Sequence, residues 1–276
     1  MRLKLTMKSS LCEVVNFLSQ DVAGEIAETV YFRRGIDSYR SRIHTANVIR
    51  DLEIIIRESP PPGKVLDFGC GFGIQSFMLA EEGYKVVGLE TIEDKSLSHF
   101  FKGEIKRHKM DRDRTLEQIW QRLSGRCEQL EFKVYDGLHI PYPDTHFDII
   151  LAYAVLEHIP QDDLNIILKE LYRVLDIKGY LFVFQFPRAE SYAEFIAHRL
   201  GVEAHDFLLP EKGIIRLLEG YGFKIYKTYR SDLLLKRPRK LVNALFPVLR
   251  YLENVLLCTP LSYFAHHINI IARRVD

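Results

Sequence analysis

Apolar and polar positions change their period along this chain, and the changes mark out its elements. From Asp37 to Glu58 the apolar residues Ile43, Val48, Leu52, Ile55 and Ile56 return at helical spacing, which predicts one helix over that stretch. An earlier helix is predicted to start at a Ser9-Ser10 cap and run through Gln20. Pro60-Pro61-Pro62-Gly63 breaks the helical period. Residues 1–60 therefore read as an N-terminal helical extension, and 61–276 as the main domain.

Beyond Pro62 short apolar runs alternate with helical patterns. Strands are predicted at Lys64–Phe68, Lys85–Glu90, Glu131–Tyr135, Phe147–Tyr153, Tyr180–Phe186, Phe223–Tyr229 and Ile268–Arg273. Helices are predicted at Ile74–Glu82, Asp163–Val174 and Glu211–Tyr221. This alternation implies an α/β fold, with a seven-stranded, mostly parallel sheet covered by helices on both faces. Ligands of such sheets bind beyond the carboxyl ends of the strands, at the topological switch point. Two segments interrupt the rhythm. Residues 93–129 are highly charged (Lys106, Arg107, Lys109, Asp111, Arg112, Asp113 and Arg114) and read as a solvated insertion of two helices, the second holding Leu116, Ile119, Trp120 and Leu123. A cap near the substrate mouth is the alternative reading. Residues 236–267 read as a helical segment packed on the core, or, because they begin with Lys236-Arg237-Pro238-Arg239-Lys240, as a peripheral membrane contact through 236–257.

Composition narrows the classes. Lys and Arg number 38 against 37 for Asp and Glu, a balance that gives no reason to expect nucleic acid as a partner. Cys12, Cys70, Cys127 and Cys258 are scattered without metal-ligand spacing, so reduced thiols in a cytoplasmic protein are expected, with a peripheral position at the membrane as the variant. Met1–Ser10 carries charges and no apolar core of a signal peptide. No uncharged apolar run reaches the roughly 20 residues of a membrane-spanning helix.

The most informative run is Val65-Leu66-Asp67-Phe68-Gly69-Cys70-Gly71-Phe72-Gly73, between the first strand and its helix. Glycines there allow a tight bend and close approach of a ligand to the backbone. The order is GxGxG, and Asp67 precedes it. A carboxylate at that position suits a cationic ligand and repels a pyrophosphate. Glu90 closes the second strand, where a carboxylate can accept both ribose hydroxyls. Asp136-Gly137 follows the third strand, where a carboxylate can accept from an adenine amino group.

These residues resemble class I, Rossmann-like methyltransferases, in particular the branch of quinone-biosynthesis and other small-molecule enzymes. The resemblance continues in Ile140-Pro141-Tyr142-Pro143-Asp144-Thr145-His146-Phe147-Asp148, in Val155-Leu156-Glu157-His158-Ile159, and in Leu171-Tyr172-Arg173-Val174-Leu175. It covers about Lys64 to Tyr229 and the last strand, and departs at Lys178-Gly179-Tyr180, where the family has paired glycines. It implies S-adenosylmethionine as cofactor. Asp67, Gly69, Gly71 and Gly73 would hold its methionine part, Glu90 its ribose, and Asp136 and Gly137 its adenine, with Tyr153 beside the sulfonium. Arg40 or Arg42 would reach the methionine carboxylate. Asp148 reads as fixing backbone at a strand start.

The reaction expected is methyl transfer to an oxygen, or alternatively a carbon, of a small metabolite, lipid precursor or glycan. Either acceptor needs a base. His158, after the fourth strand, and His205, between the fifth strand and its helix, are the candidates; His139 and His146 read as loop histidines. Ala152–Val155 stands where amino-methylating enzymes of nucleic acids and proteins carry Asn-Pro-Pro-Tyr, and no carboxylate cluster suggests magnesium. A nicotinamide-dependent oxidoreductase and a non-catalytic S-adenosylmethionine-binding protein remain as competing readings.

Overall fold

The computed structural model describes residues 2–21, 30–91, 105–201, 208–234, 236 and 238–275. The chain divides into two compact units, residues 1–137 and 138–276.

The first unit opens with three helices, α1 (Arg2–Asp21), α2 (Val30–Ser38) and α3 (Arg42–Glu58). Helix α1 starts well before the serine pair that was expected to cap it. Met7, Leu11, Val14 and Leu18 are all buried and form one stripe, so the apolar face that drives the helix begins ahead of Ser9. Ser10 lies within the helix and donates to Glu81. The single helix expected over Asp37–Glu58 is broken at Tyr39–Ser41. Ser41 adopts extended backbone and accepts from the His44 N–H, so it caps α3 as a separate helix.

Strand β1 (Lys64–Phe68), helix α4 (Ile74–Glu81), strand β2 (Lys85–Thr91), helix α5 (Ile105–Ser124) and strand β3 (Leu130–Tyr135) complete this unit. β1 pairs with β2, and β2 with β3, all parallel. α5 is the crossover helix between β2 and β3. Thr115, Leu116, Ile119, Trp120 and Leu123 are buried. This is the second of the two expected helices: the dense charges Lys106 to Arg114 fall in its first half, and the expected apolar set of its second half packs inward. Residues 92–104, where the first of the two expected helices falls, lie outside the described residues.

The second unit holds β4 (Phe147–Tyr153), α6 (Gln161–Val174), β5 (Leu175–Pro187), α7 (Tyr192–Leu200), α8 (Glu211–Gly220), β6 (Phe223–Ser231), α9 (Arg239–Ala244), α10 (Phe246–Leu257) and β7 (His267–Arg274). β4 and β5 are parallel, while β7 runs antiparallel to both β5 and β6. The seven strands follow the order β3-β2-β1-β4-β5-β7-β6, a mostly parallel Rossmann-like sheet.

The segment after β6 departs from its expected role. Val242 and Glu253 are buried, but Leu241, Leu245, Val248, Tyr251, Leu252 and Val255 are all exposed. Packing on the core therefore engages a narrow strip, and a continuous apolar stripe is left outside it.

At the other end of β7, Arg274 satisfies the end of α6. Its Nη1 donates to the carbonyls of Tyr172, Arg173 and Leu175 at 2.7–3.0 Å. The Arg274 guanidinium also lies 4.6 Å from the Tyr172 ring centre. Arg274→Met keeps most of the stem and removes the charged donor, so urea unfolding is expected to show a loss of about 1.5–3 kcal/mol. An unchanged midpoint would show that these carbonyls are satisfied without it.

Candidate active site

The bend between β1 and α4 is fixed through one residue. The Gly71 N–H donates to Glu90 Oε2 at 2.8 Å, and the Gly71 carbonyl accepts from Trp120 Nε1 at 2.8 Å. Both polar groups of that residue are thus engaged by side chains, one from the end of β2 and one from α5. Gly69, Gly71 and Gly73 all have positive φ, at 71°, 52° and 75°. Other residues strain there, which explains the glycines as a set.

Phe132 on β3 explains the close packing beneath. Its ring stacks on Trp120, with centres 5.3 Å apart and planes 7° apart. A Cβ on Gly73 would come within 2.3 Å of that ring, and a Cβ on Gly88 within 2.5 Å. Gly71 is the contrast, since a Cβ there would meet nothing within 4 Å. The bend is therefore crowded at its base and open beside Gly71.

The carboxylates lie in the same unit. Asp67 is 2% exposed and accepts from Ser76 Oγ at 2.5 Å. Burial pushes its pKa up to about 7; the Ser76 hydrogen bond opposes this and the nearby Glu90 adds to it. Glu90 is buried too, and its second oxygen accepts from the Thr91 N–H at 3.0 Å. Asp136 is exposed after β3, and Gly137 beside it has φ 88°. The N-terminal helices reach the bend as well. Phe32 of α2 lies 5.9 Å from the Phe72 ring, and Tyr39 donates to Gln75 Oε1 at 3.2 Å. Burial raises the Tyr39 pKa, with the Gln75 bond opposing and the Asp67 charge reinforcing.

This set fits a cationic, phosphate-free nucleoside: carboxylates at three strand ends and a bend with room beside it. The expected arginines do not stand out in it. Arg40 is 66% exposed and pairs with Asp37 at 3.7 Å, and Arg42 is exposed.

Asp67, Gly69, Gly71, Gly73, Glu90, Asp136 and Gly137 are thus gathered in the first unit. Tyr153 and His158 belong to the second. Tyr153 ends β4, half-buried, with its ring 6.2 Å from Phe184. His158 lies in a one-turn helix, Leu156–His158, with Nε2 3.8 Å from Glu157. Asp148 is exposed in β4, and its carbonyl would lie 2.9 Å from a Cβ on Gly179. His205 lies outside the described residues.

Two features escaped the sequence. Trp120 was read only as part of an amphipathic pattern, although it is the chain's one tryptophan, and an indole N–H on a buried face needs an acceptor. The second is the buried Asp232–His267 pair, joined at 2.6 Å between Oδ2 and Nδ1. Burial alone would raise the Asp232 pKa, but Lys236 at 3.0 Å and His267 hold it well below the ordinary range. Thirty-five positions separate the two residues, and no local pattern links them.

A protein-family model described as a methyltransferase domain matches residues 66–183. The ubiquinone biosynthesis O-methyltransferase of Pelagibacter ubique is 26% identical over 206 residues, 67% of this chain and 76% of that protein. A SAM-dependent methyltransferase from Methanosarcina mazei aligns with a TM-score of 0.52 at 21% identity, over 80% of this chain and 97% of that one. The 1,6-didemethyltoxoflavin-N1-methyltransferase of Burkholderia thailandensis, solved with 1,6-didemethyltoxoflavin and S-adenosylhomocysteine, aligns with a TM-score of 0.53 at 16% identity, over 92% of each chain. The domain match and the relatives support a class I S-adenosylmethionine-dependent methyltransferase, and the solved structures share its fold. The nicotinamide reading is set aside.

The Asp67 environment makes a prediction about the protein alone. Its folded pKa of about 7 lies above that of an unfolded aspartate. Its contribution to stability is full below the unfolded value and is lost as pH rises through about 7. Asp67→Asn should therefore gain on the wild type by a few kcal/mol as urea titrations move from about pH 4 to about pH 8. A constant difference across that range would mean that the carboxyl ionises normally.

Proposed function

We propose that this methyltransferase moves the methyl group of S-adenosylmethionine to an oxygen of a small, lipid-like acceptor, and that its cofactor is held by Asp67, Gly69, Gly71, Gly73, Glu90, Asp136 and Gly137. The observation that carries the cofactor assignment is the pinning of Gly71 from both sides, with open space next to it. S-adenosylmethionine supplies an electrophilic methyl group and leaves as S-adenosylhomocysteine. Glu90 spans the Gly71 and Thr91 N–H groups and keeps further lone pairs for ribose hydroxyls. Asp67 opposes the cofactor's positive charge, Asp136 accepts from the adenine amino group, and Tyr153 stands on the sulfonium side. His158 takes the proton from the acceptor hydroxyl as its oxygen forms the new bond to carbon; His205 is the other candidate for that role.

An oxygen acceptor is supported by the name of the Pelagibacter relative, an O-methyltransferase of ubiquinone biosynthesis. A greasy acceptor is supported by the surface of the second unit. The exposed stripe of α9 and α10 is continued by Leu261, Tyr263 and Phe264, and α7 exposes Phe195 and Leu200. Residues 236–257 carry five basic side chains and one acid. That acid, Glu253, is 2% exposed, accepts from the Leu233 N–H and lies 3.9 Å from Arg250, while Lys236 pairs with Asp232, so the excess of basic charge comes from Arg237-Pro238-Arg239-Lys240. A basic, apolar surface favours an anionic bilayer over a second copy of itself, whose charge would be the same. Among the described residues no helix is long and apolar enough to cross a membrane, so the contact would be peripheral.

Three experiments test this reading. Calorimetry should find S-adenosylmethionine affinity at least tenfold weaker in Glu90→Ala and unchanged in Asp148→Ala, and equal affinities would remove Glu90 from the site. Release of S-adenosylhomocysteine with 4-nonylcatechol as probe tests the acceptor class; turnover with amines but with no phenol would overturn it. For the membrane, the protein should float with phosphatidylglycerol-containing vesicles, and Val248→Glu with Tyr251→Glu should abolish flotation. Wild-type protein left at the bottom of the gradient, or self-association through the same stripe, would contradict the assignment.

A further inference from the structure

The carboxyl edge of the second unit carries a strained and unsatisfied residue that the fold does not need. β7 pairs Ile270 with Val183 and Ile268 with Phe186 of β5. Between those pairs, Phe184 and Gln185 face the single residue Asn269, so β5 is bulged there. Gln185 takes the extra position at φ 61°, a conformation that suits glycine. Its backbone is actively held: the Gln185 N–H donates to Asn269 Oδ1 at 2.9 Å, and Asn269 Nδ2 donates to Ser231 Oγ at 3.0 Å and to the Tyr229 carbonyl at 3.3 Å. Asn269 and Ser231 are fully buried.

The side chain so positioned is not itself used. Gln185 is 6% exposed, and its Nε2 is buried without a hydrogen-bond partner. A glycine would relieve the backbone and an apolar residue would spare the amide, so both features oppose stability. Two other carboxyl strand ends of this unit share the backbone signature. Ala154, just past β4, has φ 51° and donates to the Phe184 carbonyl at 2.9 Å. Asp232, just past β6, has φ 63° and carries the pair with His267. Strain at the carboxyl ends of β4, β5 and β6, on the edge where α/β sheets bind ligands, points to function.

We propose that the Gln185 amide is a specificity-determining donor to a neutral oxygen, phenolic, ether or carbonyl, of the methyl acceptor. A neutral amide matches an uncharged oxygen. The carboxylate that follows β6, Asp232, is already matched by Lys236 and His267. The Asn269 bridge makes Gln185 a preorganised group, set by β6 and β7 before any acceptor arrives. The assignment rests on the methyl-transfer reading.

The test uses Gln185→Met, which keeps length and removes the donor, beside Gln185→Gly, which also removes the strain. Both should melt at or above the wild-type temperature and bind S-adenosylmethionine within about twofold of it. The KM for 4-nonylcatechol should rise roughly tenfold in Gln185→Met, the loss of one well-placed hydrogen bond. A melting point lowered by several degrees in Gln185→Met would make the amide structural and overturn the proposal, whether or not the probe is methylated. An unchanged KM would do the same. Failure of wild-type protein to methylate any phenol bears on the acceptor class, and the melting comparison still decides the role of the amide.

Discussion

Gly71 is clasped through its own peptide groups, the N–H by Glu90 and the carbonyl by Trp120, and much of the first unit follows from that clasp. At this clasped residue φ is 52° and the open face carries no side chain. Trp120 can reach it only if α5 lies over β3, and the Trp120–Phe132 stack fixes that placement. Phe132 in turn forces glycine at positions 73 and 88. Phe72, the residue that follows the clasp, packs against Phe32 of α2, so the N-terminal helices are tied to the same bend.

The clasp gathers negative charge in a buried place. Burial, with Glu90 nearby, raises the cost of ionising Asp67, so that without a cation it is half protonated near neutrality. Such a site is poor as a structural element and well suited to a cationic ligand, because a sulfonium or ammonium relieves the repulsion on binding. The second unit shows the same trade at Gln185, where a strained backbone and an unsatisfied amide are kept in place by Asn269. In both units the residues that oppose stability stand at the carboxyl ends of strands.

The sequence made this logic legible where it was local. The glycine run, the acidic residue before it and Glu90 at the end of the next strand lie in or beside one βαβ unit, and their order carries the chemistry. Strand periods were equally readable, because buried strands are short apolar runs bounded by turn residues. Helix starts were less so: Ser9-Ser10 looked like a cap, but the buried stripe of Met7, Leu11, Val14 and Leu18 governs. The apolar set Leu116, Ile119, Trp120 and Leu123 of α5 was legible, but the bond from Trp120 to the Gly71 carbonyl was not. Gln185 and the Asp232–His267 pair were invisible, since a bulge and a pairing across 35 positions depend on strand register, which sequence spacing does not encode. The exposed stripe of α10 was seen as apolar, but which way it faced was not.

The most direct measurement is proton linkage. Calorimetry of S-adenosylmethionine binding at about pH 6, repeated in buffers of different ionisation enthalpy, counts the protons exchanged. A buried Asp67 that ionises to meet a cation predicts release of close to one proton by wild-type protein and almost none by Asp67→Asn. Binding without proton release in the wild type, or no binding at all, would contradict the account of a negative, glycine-lined bend built for a cationic nucleoside.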